Sequence, residues 1–340
     1  MKNQRHLTHL YWRAGFGLSP AEWRKRKDWS SNKAVNSLFK DAENVRPLDD
    51  SAVRSLISEA EIKKKNPKTR SELRKKGRAL VFQQNMKWVQ RMASTKESPL
   101  LEKMCLFWHG HFACTTKMPN LAHQQLETIR KHALGNFRDF VQAMAKDVSM
   151  IRFLNNQQNK KNSPNENFAR EVMELFTIGR GYYTERDVKE AARAFTGWRS
   201  NQHGEFVFKE KYHDNGNKSF MNTSGNLNGE DIVNTLLDQK QTSIFITTKV
   251  YRYFVNEKID DKRINKLADR FYKSGYDIED LMKTIFSSDW FYDEKNIGVK
   301  IKSPAELIAG ILRQLSAEMN DKKSFKFIQK ALGQRLFDPP

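Results

Sequence analysis

The sequence predicts a mainly α fold, a multi-helix globular core with one small β-hairpin or long-loop excursion. Three observations carry this reading. Apolar residues recur at helical spacing through most of the 340 residues. Helix-start signals precede several of these runs, as at Ser19-Pro20, Ser163-Pro164 and Thr184. One stretch, 199–228, loses the helical period: Phe206-Val207-Phe208 is followed by an Asn/Gly/Ser-rich run to Asn228, which fits a hairpin or a long loop.

Taken in order, residues 6–40 read as short helices. The stretch His9 to Gly17 ends in a glycine-punctuated turn, and Ser19, Pro20 and Glu22 form a capping box that starts the next helix. Gly15 and Gly17 have neither the spacing nor the strand context of a phosphate loop. Helices are expected at 78–95 and 100–113, then at 121–133, 137–147, 164–178 and 184–198. After residue 229 the period returns at 230–238, 242–256, 260–273, 277–287 and 303–319. Three sections follow: an N-terminal helical section, 1–79, with a basic excursion at 61–78; a helical core, 80–228, with a hairpin or loop near 204–222; and a C-terminal helical subdomain, 229–340.

No run of 18 apolar residues exists, so no membrane-spanning helix is expected. The N-terminus lacks the apolar segment of a secretory signal, and Cys105 and Cys114 are too few for a disulfide framework. A reducing, cytoplasmic home is the expectation. The net charge of +20 is concentrated in part between Glu61 and Arg78, where nine Lys/Arg face two acidic residues. Lys63, Lys64, Lys65, Arg74, Lys75 and Lys76 there form either a solvated face or a patch for nucleic acid or another anionic partner. No helix-turn-helix, zinc-finger or RNP-type pattern accompanies them.

Three clusters carry candidate chemistry. In Ser163 to Gly179, Ser163 reads as the N-cap, Pro164 as the first helical residue and Glu166 as the third position of a capping box, with Gly179 as the stop. Phe168, Val172, Leu175 and Phe176 share an apolar arc, and Asn167, Glu171 and Glu174 form a polar stripe beside it. Two carboxylates on one face suit metal binding or acid–base work, or they pair locally with Arg170. In Leu106 to Phe112, His111 falls within the apolar arc of a helix and His109 lies far round from it. The two chelate one ion only if Gly110 breaks the helix. In Tyr212 to Lys218, His213 and Asp214 form a ligand pair or simply a turn. Glu190 and Arg193 extend the polar site or make a surface ion pair.

The pattern excludes common serine-hydrolase elbows, Walker loops, Cys-x-x-Cys sites and dinucleotide fingerprints. It leads to a metal-dependent, hydrolase-type enzyme. A divalent cation would be held among His109, His111, Glu171, Glu174, His213 and Asp214. Asn165, Glu166 and Asn167 would line the site. Glu171, Glu174, His111 and Arg170 would do the chemistry, with Arg170 orienting an anionic substrate. The alternatives are a non-catalytic scaffold or accessory subunit, and nucleic-acid binding through the basic excursion.

Phe107 to Phe112, Pro164 to Glu171, Met173 to Phe176, Tyr183 to Glu185 and Ala194 to Trp198 together resemble the bacterial family catalogued as domain of unknown function 1800. His213-Asp214 with Gly216 and Lys218, and Ile301 to Leu307, fit the same family. The resemblance spans nearly the whole chain and carries no activity with it. It implies a partner from a neighbouring gene, of a second family (1501) similar to sulfatases and alkaline phosphatases. It also implies that the family pattern continues past Leu336-Phe337 and the terminal prolines into a Gly-Trp-containing segment, so that the chain is expected to be truncated.

Overall fold

A computed structural model describes residues 2–62, 67–201 and 203–338. Seventeen α-helices and two small antiparallel hairpins are found among them, which is the mainly α architecture expected. None of these helices is long and apolar enough to cross a membrane. The chain packs as two units. The first comprises residues 1–133, 254–257 and 282–340, and the second comprises residues 134–253 and 258–281.

The first unit opens with α1 (Lys2–Arg13), α2 (Pro20–Arg26), α3 (Ser31–Ala42), α4 (Ser51–Ile62), α5 (Pro67–Ala93), α6 (Pro99–His111) and α7 (Pro119–His132). The capping box at Ser19 and Glu22 is formed as its sequence signal implies. Helix α5 begins at Pro67, well before the expected residue 78, because Lys and Arg are good helix formers and Pro67 suits a first turn. Lys63, Lys64 and Lys65 lie outside the described residues. Helix α6 packs against α3, α5 and α7 and is buried on every side except at Gly110, rather than along the single apolar face expected. Its charged residues therefore need buried partners. Glu102 accepts hydrogen bonds from Trp88 Nε1 (3.0 Å), Arg91 Nε (2.8 Å) and Arg130 Nη1 (2.7 Å).

The second unit carries α8 (Phe137–Ala145), α9 (Val148–Phe153), α10 (Asn167–Glu171) and α11 (Glu185–Ala194). Two hairpins follow, β1 (Trp198–Ser200) with β2 (Phe206–Phe208) and β3 (Lys218–Phe220) with β4 (Thr223–Gly225), in the stretch where the helical period fails. Then come α12 (Gly229–Asp238), α13 (Lys240–Phe254), α14 (Asp261–Lys273) and α15 (Ile278–Phe286). The first unit resumes within α15, at residue 282, and continues with α16 (Pro304–Gln314), which packs on α5, and α17 (Lys322–Ala331).

Two local readings are corrected in the 163–179 stretch. Ser163 does not cap a helix: it pairs back onto Lys160, and α10 starts only at Asn167. The delay has a cause in the asparagines. Asn159 Oδ1 accepts from the Asn165 backbone N–H (3.0 Å), Asn165 Oδ1 accepts from that of Asn167 (3.1 Å), and Asn167 Nδ2 donates to the Leu154 carbonyl (3.1 Å). These bonds hold the entry in a turn that competes with the helix. Second, α10 passes into a π-helical turn over Val172–Thr177. The wider i→i+5 turn shifts the phase of the side chains, so Leu175 is 45% exposed instead of joining Phe168, Val172 and Phe176 in the core. The turn ends where expected, at Gly179 with φ +85°, where a Cβ would stand 2.9 Å from Phe245.

Candidate functional site

The polar stripe of the second unit is built on the α10-to-π junction. Tyr183 Oη donates to Glu174 Oε2 (2.7 Å), while Arg180 Nε (2.9 Å) and Nη2 (2.5 Å) donate to Oε1. These hydrogen bonds hold the Glu174 carboxyl below its ordinary value. One turn back, Glu171 is half-buried and makes no hydrogen bond or ion pair among the described residues. Burial, and then the charge of Glu174, push its carboxyl above the ordinary value. Two carboxylates three residues apart thus sit in opposed electrostatic settings. Arg170 grips Glu185 through both oxygens (2.7 and 2.8 Å) and reaches Glu166 at 3.2 Å, so it ties α10 to α11.

His213 and Asp214 are tied down separately, between the two hairpins. The buried His213 donates from Nδ1 to the Thr196 carbonyl (2.8 Å), and its ring stands edge-on to Phe208. Asp214 takes Arg193 Nε at 2.7 Å and the Gly216 backbone N–H at 2.8 Å, and its carboxyl is lowered, chiefly by Arg193. Arg193 also grips Glu190 at 2.9 Å, so this pair does more than decorate the surface. Lys218, buried at 2% exposure, caps the Asp214 (2.6 Å) and Gly216 (3.0 Å) carbonyls.

The His-x-His motif belongs to the first unit. Helix α6 runs unbroken through Gly110, so the two imidazoles leave it on different sides. His111 packs against Phe107, Trp108 and Phe112. His109 lies between Trp88 and Phe337, and burial lowers its pKa to about 4, which makes it a neutral ring in an aromatic slot.

The chain belongs to the DUF1800 family. The family model, described as a protein of unknown function, matches residues 9–340. No curated protein and no solved structure matches the chain.

In this DUF1800 chain some of the donors expected for a metal are already engaged, while Glu171 is not. Glu174 has both oxygens bonded, Asp214 is held by Arg193, and His213 Nδ1 is bonded to backbone. Among the described residues no group of three or more His, Cys, Asp or Glu side chains is placed to hold a metal ion. Within the basic excursion, Arg74, Lys75 and Lys76 are exposed on α5, and Lys76 pairs with Glu59 at 2.7 Å.

Sequence reasoning passed over an asparagine network and a cluster of buried cations. Asn156 and Asn159 are fully buried. Asn156 donates to the Phe195 and Trp198 carbonyls, and Asn159 donates to Ala192. The available signal was the repeat of Asn at 155, 156, 159, 162, 165 and 167, too dense for a helix. The cations, Arg13, Lys103 and Lys300, come from three separate segments of the first unit. Their signal was a charge inside an otherwise apolar run, as with Lys103 in α6.

Proposed function

We propose that this DUF1800 chain is an enzyme of hydrolase type in which Glu171 is the acid–base group. The observation that carries this reading is the pair of opposed carboxylates at the α-to-π junction, Glu171 unpaired and raised, Glu174 clamped and lowered. Neighbouring carboxyls whose environments separate their proton affinities are the arrangement acid–base catalysts use. The π-helical turn supports it, because such turns concentrate at functional sites. Glu171, holding its proton above the usual carboxylate range, would donate it to a leaving oxygen and then take one from water. Glu174 would stay ionised between Tyr183 and Arg180. The 84%-exposed Arg180 would face an anionic part of the substrate, the role expected of Arg170, which is occupied by Glu185 and Glu166. A divalent metal is not part of this reading, because among the described residues no three of the expected donors converge on one point.

The test is a panel of nitrophenyl esters, glycosides, phosphates and sulfates. Turnover of one class by the wild type should fall on the order of 100-fold or more in Glu171→Gln with the fold unchanged. No turnover of any class, or equal turnover by the variant, would sink the proposal.

A second reading is favoured by the hydrogen bonds that tie His213 Nδ1, Asp214, Arg193 and Asn159 to their neighbours, which is what a packing device looks like. It makes the chain an accessory subunit of the sulfatase- or phosphatase-like neighbour. Co-expression followed by size-exclusion chromatography would show a joint peak if this reading holds, and separate peaks would end it.

A further inference from the structure

A cavity of about 380 Å³ opens in the first unit between the end of α1, the middle of α6 and the segment leading into α16. Five cationic side chains and one carboxylate line it, with an apolar wall of Trp12 and Phe16. The carboxylate, Glu306, belongs to the α16 capping box and accepts the Ser303 backbone N–H at 2.8 Å. Its other oxygen is shared by two lysines, Lys103 and Lys300, the latter at 2.9 Å. Lys103 sits over the Phe16 ring, 5.0 Å from its centre. One negative charge therefore serves two buried ammonium groups.

Arg13 adds a third buried cation. It is 4% exposed, and Nη2 donates to the Asn296 carbonyl at 2.9 Å. Its Nη1 has no hydrogen-bond partner among the described residues. Lys302 adds a fourth charge at the rim, 3.8 Å above the Trp12 ring. Gly310 lets α16 come close enough to seat that ring, since a Cβ there would stand 2.8 Å from it. The fifth cation, Arg5, is spent on Glu294 at 2.5 Å. Glu306, and after it the exposed Glu257, act on Arg13 only through space. Burial lowers the Arg13 pKa to about 10 and the Lys300 pKa to about 8, the latter helped by the charge of Lys103.

A buried guanidinium with an unsatisfied donor is costly unless something negative meets it. We propose that this cavity is a binding site for a small molecule carrying a doubly charged tetrahedral oxyanion, a phosphoryl or sulfuryl group, held by Arg13 Nη1, Lys300 and Lys302. A single carboxylate would leave the surplus charge only partly met. The cavity falls within the roughly 300–1,000 Å³ of ligand sites, which leaves room for a small body beyond the anionic group. The site lies wholly within the first unit and does not depend on the Glu171 reading.

The test is isothermal titration of the full chain with inorganic phosphate, sulfate and acetate, at constant ionic strength in chloride. Phosphate or sulfate should bind at one site per chain, at least tenfold more tightly than acetate. Arg13→Gln should weaken that binding about tenfold or more, as expected for a charge-assisted donor. Because Arg13 is buried, the exposed Lys302→Gln supplies a second variant, which should keep the fold and weaken binding about threefold. Absence of phosphate and sulfate binding would overturn the proposal. So would equal affinity for acetate, or unchanged binding in the folded Lys302→Gln variant.

Discussion

Each unit holds one region where charges are paired and another where a charge is left over, and the two kinds of region differ in what they do. Around Glu102 in the first unit, and around Asp214 in the second, opposite charges are paired. Glu102 is ringed by Trp88, Arg91 and Arg130, and Asp214 is gripped by Arg193. At the cavity of α1 and α16, and at the α-to-π junction, one group is left over: Arg13 in the first case, Glu171 in the second. A paired charge stabilises or specifies the fold. A leftover charge in a site that could have been apolar costs stability and marks where a ligand or a proton belongs.

That comparison can be broken most forcefully at Glu102. Replacing it with leucine should destabilise the protein by about 3–5 kcal/mol, because Arg130 at 1% exposure would keep its charge and lose its partner. Urea denaturation would report it, and a loss below 1 kcal/mol would show that the cluster is not integral to the fold. Arg13→Met should do the reverse. Without ligand it should be neutral or stabilising by about 1 kcal/mol, since it removes an unmatched buried cation. A loss of several kcal/mol would mean that Arg13 is a structural residue.

Asp147 sharpens the comparison through pH. It is the N-cap of α9, and burial raises its carboxyl to about 6, against the opposing hydrogen bonds from Ser149 and Met150. The folded state therefore holds this proton more tightly than the unfolded chain. Stability falls as pH rises through the window from about 4 to about 6, and the cost is fully present above it. Asp147→Asn keeps a good cap and should gain on the order of 2 kcal/mol at pH 7.5, with no gain below pH 4. Equal melting curves of variant and wild type at both pH values would contradict the shift. The smallest effect belongs to Glu174→Gln. It loosens an exposed pair with Arg180 and should cost about 0.5–1 kcal/mol in denaturation. It should also bring the Glu171 carboxyl back towards its ordinary value, because the charge of Glu174 is one of the causes of its rise.

Many helices were legible in the sequence because they rest on local signals, whereas α4, α9 and α17 were not expected. Ser19 with Glu22, Thr184 with Asp187, and Gly179 each act within a few residues, and each does what its neighbourhood implies. The π-turn was not legible, since Val172 to Thr177 reads equally well as α and only Leu175 turning outward reveals the change. The candidate site was half legible. Glu171 and Glu174 stand on one short segment, whereas their opposed settings depend on Arg180 and Tyr183 folding back onto Glu174. The cation cavity was hidden because Arg13, Lys103 and Lys300 are remote in sequence, and only packing brings them to one cavity.

The most direct test of the leftover-charge account is a carbon-13 NMR titration of side-chain-labelled glutamates, with Glu171→Gln and Glu174→Gln used for assignment. The account predicts that Glu171 titrates above the ordinary glutamate value of 4.5 and Glu174 below it. Coincident titrations near that value, or the reverse order, would contradict it.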